Sequence, residues 1–319
     1  MEYDAFQTNP IALALDSLHT TAFHRGLGYS ILATPTYPVH AHQVHEYALD
    51  AYTKANAVLV ASGTNADEIK PHLEEFWKEL PDGEPITSAP TKYVGGEARI
   101  PHRAVTNVFG ISFPGSAAYS SNASPEHVVL SHLLGGFSPV KWSVGHSAFA
   151  KLSAGISKTN VELICTNIAY SDGGLFTILA LGSASKVKEA ASGALKLLRD
   201  VAKGNHVIKP EELKRAIASA KFVAYATTEP RLTGLELIGQ AVLDTGKVVD
   251  LEAITSGFEK VTVDKIKQVY PFLDSLVDDR LLARCWKRLH LLWLLDRLSL
   301  YLFTMSFRFR LWKSRLTRL

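Results

Sequence analysis

The stretch Val161-Glu162-Leu163-Ile164-Cys165-Thr166-Asn167-Ile168-Ala169-Tyr170, then Ser171-Asp172-Gly173, then Gly174-Leu175-Phe176-Thr177-Ile178-Leu179-Ala180-Leu181-Gly182 decides the fold class. Two apolar, partly β-branched runs on either side of a short Asp-Gly turn predict a β-hairpin. Downstream, the spacing of Val187, Ala191, Leu195, Leu198 and Val201 predicts a helix that starts at a Ser185 cap and ends before Gly204. Pro210 opens a further helix through Leu213, Ile217, Ala220 and Val223, and helical stretches follow at Leu235–Val242 and Val263–Tyr270. Upstream, Val105–Phe113 alternates as a strand and Ser124–Leu134 reads as a helix. Strands from distant segments followed by paired helices imply an α+β fold, with helices on one face of a mainly antiparallel sheet.

The first hundred residues carry a related pattern. Ile11, Leu15, Leu18 and Ala22 share one face of a helix over 10–23 that starts at Pro10, and His24-Arg25-Gly26-Leu27-Gly28 closes it. A second helix is expected over Ala41–Tyr52. Ala57-Val58-Leu59-Val60-Ala61, ended by Ser62-Gly63, reads as a buried strand. Asn65 then caps a helix with Glu68 in a capping box and Ile69, Leu73, Phe76 and Leu80 as its stripe, Pro71 being expected to delay or kink it. Pro81–Pro90, with three prolines, reads as a linker between two units.

The 319 residues are 47% hydrophobic and 20% charged, which is enough apolar material for roughly two domains of about 150 residues and excludes disordered, collagenous and disulfide-stapled classes. Two cysteines, Cys165 in an apolar run and Cys285, point to a reducing compartment. The net charge of +3 is unevenly distributed. Residues 280–319 hold ten of the 34 basic and one of the 31 acidic residues, so this tail carries +9 and residues 1–279 carry −6. The tail also holds Trp286, Trp293 and Trp312. A basic amphipathic helix on an anionic membrane is one reading of it, and a segment never selected to pack in this fold is the preferred one. Its apolar runs, Leu289–Leu295 and Leu298–Phe307, are split by Asp296-Arg297, so no transmembrane helix is expected. The acidic start Met1-Glu2-Tyr3-Asp4 does not read as a targeting peptide.

Each candidate for chemistry falls short of its template. His42 and Glu46 stand at the i, i+4 spacing of helical metal ligands beside His40 and His45, but His-x-x-His-Glu matches neither orientation of the zinc motif and no third ligand follows. A solvated first helical turn is the preferred reading. Gly145-His146-Ser147 continues with Ala148-Phe149 and lacks the second Gly of a nucleophile elbow. Cys165 reads as structural core. Gly26-x-Gly28, Gly95-Gly96 and Gly135-Gly136 lack the partners of nucleotide or phosphate loops and read as turns. No catalytic, metal-binding or cofactor-binding residue is therefore expected, and no cofactor.

Taken together, several segments resemble the pitrilysin-type (inverzincin) family. These are Asn9-Pro10 through Leu18-His19-Thr20-Thr21-Ala22-Phe23, Gly26-Leu27-Gly28, Val58-Leu59-Val60-Ala61-Ser62-Gly63 and Tyr93-x-Gly95-Gly96-Glu97-x-Arg99. Leu133-Leu134-Gly135-Gly136-Phe137-Ser138-Pro139-Val140-Lys141 and Ala169-Tyr170-Ser171-Asp172-Gly173-Gly174-Leu175-Phe176 are nearest to its core-protein branch, found in mitochondrial ubiquinol-cytochrome c reductase (complex III). The resemblance spans about residues 9–272 and implies two homologous domains, the first incomplete. It places the end of the first domain at 1–80, a linker at 81–100, the second domain at 101–272 and an atypical basic tail at 273–319.

Departures from the family point away from catalysis. Nothing matches the His-x-x-Glu-His site of active members. Their charged second-domain stretch corresponds here to Ser147–Ile156, whose one charge is Lys151, and their Tyr after the Asp-x-Gly-Leu strand is not seen in Phe176-Thr177-Ile178-Leu179. The resemblance therefore implies a non-catalytic structural and assembly subunit on the matrix side of the mitochondrial inner membrane. Its partners would be a core protein 1-like subunit and other complex III subunits, with peripheral membrane association through the complex and no nucleic acid. Alternatives are the noncatalytic, substrate-recognising subunit of the mitochondrial processing peptidase, a membrane-surface module driven by the tail, and an active zinc peptidase. Phe137-Ser138-Pro139 after Gly135-Gly136, where the peptidase partner carries further glycines, favours the core-protein branch. Both ends of the chain are expected to reflect a truncated or misassembled gene model. Exposed strand edges, exposed apolar surface and marginal stability are expected in the first part.

Overall fold

Strand β3, Gly174–Gly182, is buried at every residue. It is the middle strand of the sheet, flanked by β1 (Asn107–Pro114) and β2 (Val161–Ala169), both antiparallel to it, in the order β1-β3-β2. The hairpin predicted from sequence forms as read. Ala169 pairs with Gly174 and Val161 with Gly182, and the Tyr170 N–H donates to the Gly173 carbonyl at 2.8 Å across the turn. On its other edge β3 pairs Phe176 with Phe113 and Gly182 with Asn107. The computed structural model describes residues 2–33, 38–87, 89–102, 106–118, 123–135, 145–156 and 161–269.

Among these residues there are eleven α-helices. They are α1 (Glu2–Thr8), α2 (Pro10–Phe23), α3 (Ala41–Ala51), α4 (Ala66–Glu79), α5 (Pro125–Leu134) and α6 (Ala148–Ile156), followed by α7 (Ala184–Ala202), α8 (Pro210–Thr228), α9 (Arg231–Thr245), α10 (Leu251–Glu259) and α11 (Val263–Val269). Of these, α2, α5, α6 and α7 pack on the sheet. A continuous apolar strand needs cover on both sides, and β3 has it. Phe176 meets the His127 ring of α5 at 6.1 Å, whereas its neighbour Leu175, projecting to the opposite face, packs with Ala22 and Phe23 of α2. Helices α5, α6 and α7 pack on one another and on the sheet, with α8, α10 and α11 stacked outside α5. Phe113, Phe149, Phe176, Leu130, Leu134, Leu163 and Leu175 are the large residues most completely removed from water.

Helix α7 buries Val187, Ala191, Leu195, Leu198 and Val201 as its spacing predicts, and adds Ala190 and Ala194. Its cap is Ser183 rather than Ser185. Three short helices escaped the periodicity reading. Of these, α10 carried the clearest signal, because Asp250 accepts from the Glu252 and Ala253 N–H groups at 2.9 and 3.0 Å. In α2 the buried residues are Leu13, Ala22 and Phe23, and Ile11 is exposed, because the end of the helix, not its start, meets the sheet. In α8 they are Ala216 and Ala220.

The expectations corrected by the structure lie mostly before residue 82. Ala57–Ala61 is not a strand: the described segments beside it, α4 and α9, are helices and offer no ladder, and residues 57–60 are half-buried rather than buried. Helix α4 begins as predicted at Asn65, whose side chain accepts from the Asp67 N–H at 3.2 Å, but the reciprocal Glu68 contact is not formed. The helix runs through Pro71 without a break. Its half-buried stripe is Ile69, Leu73, Trp77 and Leu80, turned one position so that Phe76 faces solvent. Val39, Val44, Tyr47, Leu49 and Tyr52 are exposed too, giving the expected apolar surface. The described residues of the Pro81–Pro90 segment, 81–87 and 89–90, are irregular but fastened. Asn56 donates to the Glu84 carbonyl at 3.1 Å and accepts from the Ile86 N–H at 2.8 Å, while Lys54 pairs with Asp82 at 2.8 Å.

Candidate functional site

Three of the motif segments, 18–28, 93–96 and 169–176, converge on one junction. Ala22 and Phe23 at the end of α2 and Leu175 on β3 form a buried cluster, with Leu18, Leu27, Tyr93 and Ile168 packed around it. Four segments that are far apart in sequence meet here, namely 18–28, 91–96, β1 and the hairpin. Their hydrogen bonds are specific. The Ala22 carbonyl, freed at the helix end, accepts from the Val94 and Gly95 N–H groups at 2.7 and 3.2 Å. The Tyr93 hydroxyl donates to the Ser112 carbonyl at 2.9 Å, and the Asp172 carboxylate of the hairpin turn accepts from the Thr91 N–H at 2.6 Å. Gly96 holds φ at +153°, and a Cβ there would stand 3.1 Å from Thr21 Cγ2.

His19 links α2 to the hairpin. Its Nδ1 lies 2.7 Å from the Leu15 carbonyl, which can only accept, so Nδ1 carries the proton and Nε2 accepts from the Tyr170 hydroxyl at 2.6 Å. Burial raises the pKa of the Tyr93 and Tyr170 phenols above the ordinary value, which keeps them protonated as donors. Every polar group named at this junction has a partner within the chain, so its chemistry is the fastening of segments.

A second polar cluster starts α5. Buried Ser116 accepts from the Ser124 N–H at 2.6 Å, and its own N–H donates to Asn167 Oδ1 at 3.0 Å. The Ser124 hydroxyl donates to Glu126 at 2.7 Å and lies 3.0 Å from His127 Nδ1. Serine, histidine and carboxylate are thus adjacent, but the serine is bound directly to the carboxylate, and the histidine is not held between them as a relay would require. Further along α5, His132 Nδ1 is 3.1 Å from the Ser219 hydroxyl of α8. Burial lowers the pKa of both His127 and His132, with Glu126 partly opposing it at His127.

This gives a pH prediction with a definite sign. Both imidazoles are harder to protonate in the folded chain than in the unfolded one, so the unfolded chain binds more protons around its histidine pKa of about 6.5, and stability is lost as pH falls through that region. The urea midpoint should drop between about pH 7.5 and about pH 5.5, and the double variant His127→Gln/His132→Gln should flatten that drop. An unchanged slope in the variant would assign the acid sensitivity elsewhere.

The residues weighed for catalysis lie apart. His40, His42, His45 and Glu46 are all exposed on or just before α3, with the His40 and His42 rings stacked at 5.8 Å. No metal-ligand cluster is found among the described residues. Ser147 is a helix cap, since its hydroxyl accepts from the Ala150 N–H at 3.2 Å. The Cys165 residue on β2 is half-buried, and burial pushes its thiol well above the ordinary range, as a structural cysteine requires. Lys151 pairs with Glu212 of α8 at 3.0 Å. Gly136–Lys141 and the basic tail lie outside the described residues. No described helix is long and apolar enough to cross a membrane.

The profile of the family described as "Peptidase M16 inactive domain" matches residues 38–220. The chain belongs to that family. Among curated M16 relatives it is 36% identical over 262 residues to the cytochrome b-c1 complex subunit 2 of Neurospora crassa, covering 80% of this chain and 56% of that protein. To the protein of the same name in Schizosaccharomyces pombe it is 32% identical over 270 residues, covering 84% and 61%. A probable mitochondrial-processing peptidase subunit alpha-1 of Arabidopsis thaliana is 26% identical over 270 residues, covering 81% and 52%. The chain therefore spans less than two thirds of the length of these relatives. Among solved structures, a chain of "Complex III2 from Candida albicans, Inz-5 bound" superposes with a TM-score of 0.73 at 17% identity, covering 88% of this chain and 71% of that one, which shows a shared fold. The α+β reading and the M16-type fold expected from the junction motifs are thereby established.

Proposed function

We propose that this M16 chain is a non-catalytic structural and assembly subunit of a mitochondrial cytochrome b-c1 complex (ubiquinol-cytochrome c reductase), the counterpart of subunit 2, supporting respiratory electron transport from the matrix face of the inner membrane. The observation that carries the reading is the 36% identity over 262 residues to a fungal subunit of that name, against 26% for the peptidase alpha subunit. The junction supports it, because the motif residues serve packing and main-chain hydrogen bonds. On this reading the partners are a core protein 1-like subunit and the other b-c1 subunits, with membrane association only through the complex and no nucleic acid. The chain has no catalytic, metal-binding or cofactor-binding residues of its own. The division into 1–80, 81–100, 101–272 and 273–319 belongs to the same proposal.

Purification of the tagged chain from detergent-solubilised mitochondria tests it. The expected result is co-elution with the haem absorbance of the b and c1 cytochromes. Recovery instead as a soluble, cytochrome-free heterodimer that cleaves presequence peptides would overturn it in favour of the processing-peptidase subunit.

A further inference from the structure

Helices α8, α10 and α11 pack on α5, and α8 also packs on α10 and on α9, so α8–α11 form an outer layer. Polar bonds tie it together. Lys221 of α8 pairs with Glu259 of α10 at 2.6 Å, and the Tyr225 hydroxyl is 3.3 Å from that of Thr255. The side chains it buries are mostly small: Ala216 and Ala220 on α8, Ala241 on α9, Thr255 and Phe258 on α10, and Ile266 on α11. Among the described residues, Phe113, Phe149, Phe176, Leu163 and Leu175 are large, fully buried and in or against the sheet, and Ile266 is the layer's one counterpart. A layer that buries less apolar surface opens at a lower free energy than the core it covers.

A histidine stands where this layer meets α5. His132 Nδ1 is 3.1 Å from the Ser219 hydroxyl of α8, on a helix that also carries buried Val129, Leu130 and Leu134. A protonated ring held there would need a carboxylate, and the charges on the surrounding elements are committed or exposed. Lys151 of α6 pairs with Glu212 of α8 at 3.0 Å, and Lys265 of α11 stands 3.8 Å from Glu126 of α5. Lys267 and Asp264 pair with each other on α11 at 3.8 Å. Glu162 of β2, Glu211, Lys214 and Arg215 of α8 and Glu252 of α10 are exposed. The other imidazole of α5, His127, contacts Ser124 and Phe176. Burial lowers the pKa of His132, so the charged ring favours an opened layer in which water reaches it. We propose that the α5–α8 contact at His132 is an acid-sensitive latch, whose protonation lets α8–α11 part from α5 as one unit while the sheet and the helices on it stay folded. The inference stands independently of the functional proposal above.

Amide hydrogen exchange of the full chain, read by mass spectrometry and corrected for the intrinsic pH dependence of exchange, is the test. Peptides of α8, α10 and α11 should share one protection factor, lower than that of β3. Between about pH 7.5 and about pH 5.5 it should fall further, by at most about tenfold for one histidine whose pKa returns to about 6.5 on opening. His132→Asn keeps a hydrogen-bonding group near the Nδ1 position but does not titrate, so it should abolish the layer's response to pH. His127→Gln should leave that response in place. Equal protection of the layer and β3 in the wild type overturns the inference without recourse to a variant. So does a pH response of the layer that survives His132→Asn or is lost in His127→Gln.

Discussion

Replacing Phe176 by Ala should lower the free energy of unfolding by about 3–5 kcal/mol, the range for a large aromatic truncated in a core that cannot collapse around the space. Phe176 is 1% exposed, sits on the middle strand of the sheet opposite Phe113, and meets the His127 ring in a T-shaped contact. Neighbours on β1, β2 and α5 are each held by their own hydrogen bonds, so none can move in to fill the void. Urea denaturation followed by intrinsic fluorescence measures the loss. Phe176→Leu keeps most of the volume and should cost less than about 1.5 kcal/mol, which keeps the comparison open if the alanine variant does not fold. A loss below about 1 kcal/mol for the alanine variant would mean that the sheet is not the stabilising centre described above.

Gly174→Ala should be nearly as damaging, at about 3 kcal/mol, for the opposite reason of overcrowding. A Cβ on Gly174 would stand 2.1 Å from the Ser116 carbonyl oxygen and 3.0 Å from the Ile168 carbonyl oxygen. Both are backbone atoms, and Gly174 itself accepts from the Gly115 N–H at 2.8 Å, so relief requires the hairpin to part from the β1 exit. Gly155→Ala is the matched control. A Cβ at that α6 position would touch nothing within 4 Å, so the change should be neutral or stabilise by up to about 1 kcal/mol through helix propensity. Equal melting temperatures for the two variants would contradict the close approach at Gly174.

The legible parts of the sequence were those in which local pattern and tertiary environment demand the same thing. Val161–Gly182 sets two apolar, partly β-branched runs around an Asp-Gly turn as a hairpin must, and α7 carries its buried stripe at helical spacing along one side, so each was readable without knowing its neighbours. Helix α6 was obscured because Ser147 was weighed as a nucleophile, although its hydroxyl only caps the helix. Helix α10 is short, and its Asp250 cap was the signal to follow. Phe76 and Trp77 compete for the same stripe one position apart, and packing against Ala57–Leu59 chose Trp77. Of the candidate site, the motif residues were visible one segment at a time, but their meeting at Ala22, Phe23 and Leu175 was not, since hydrogen bonds such as Tyr170 to His19 join residues 151 positions apart.

By itself the sequence determined the hairpin, the helix-rich second half and the family, because these rest on short-range periodicity and on motifs whose residues are adjacent. Tertiary structure alone decided that β3 is the middle strand, that α2 covers the face its helical neighbours leave open, and that Ala57–Ala61 does not become a strand within this chain. A strand is a pairwise object whose hydrogen bonds lie in another segment, so β-branched composition supplies the preference and only a neighbour can supply the ladder.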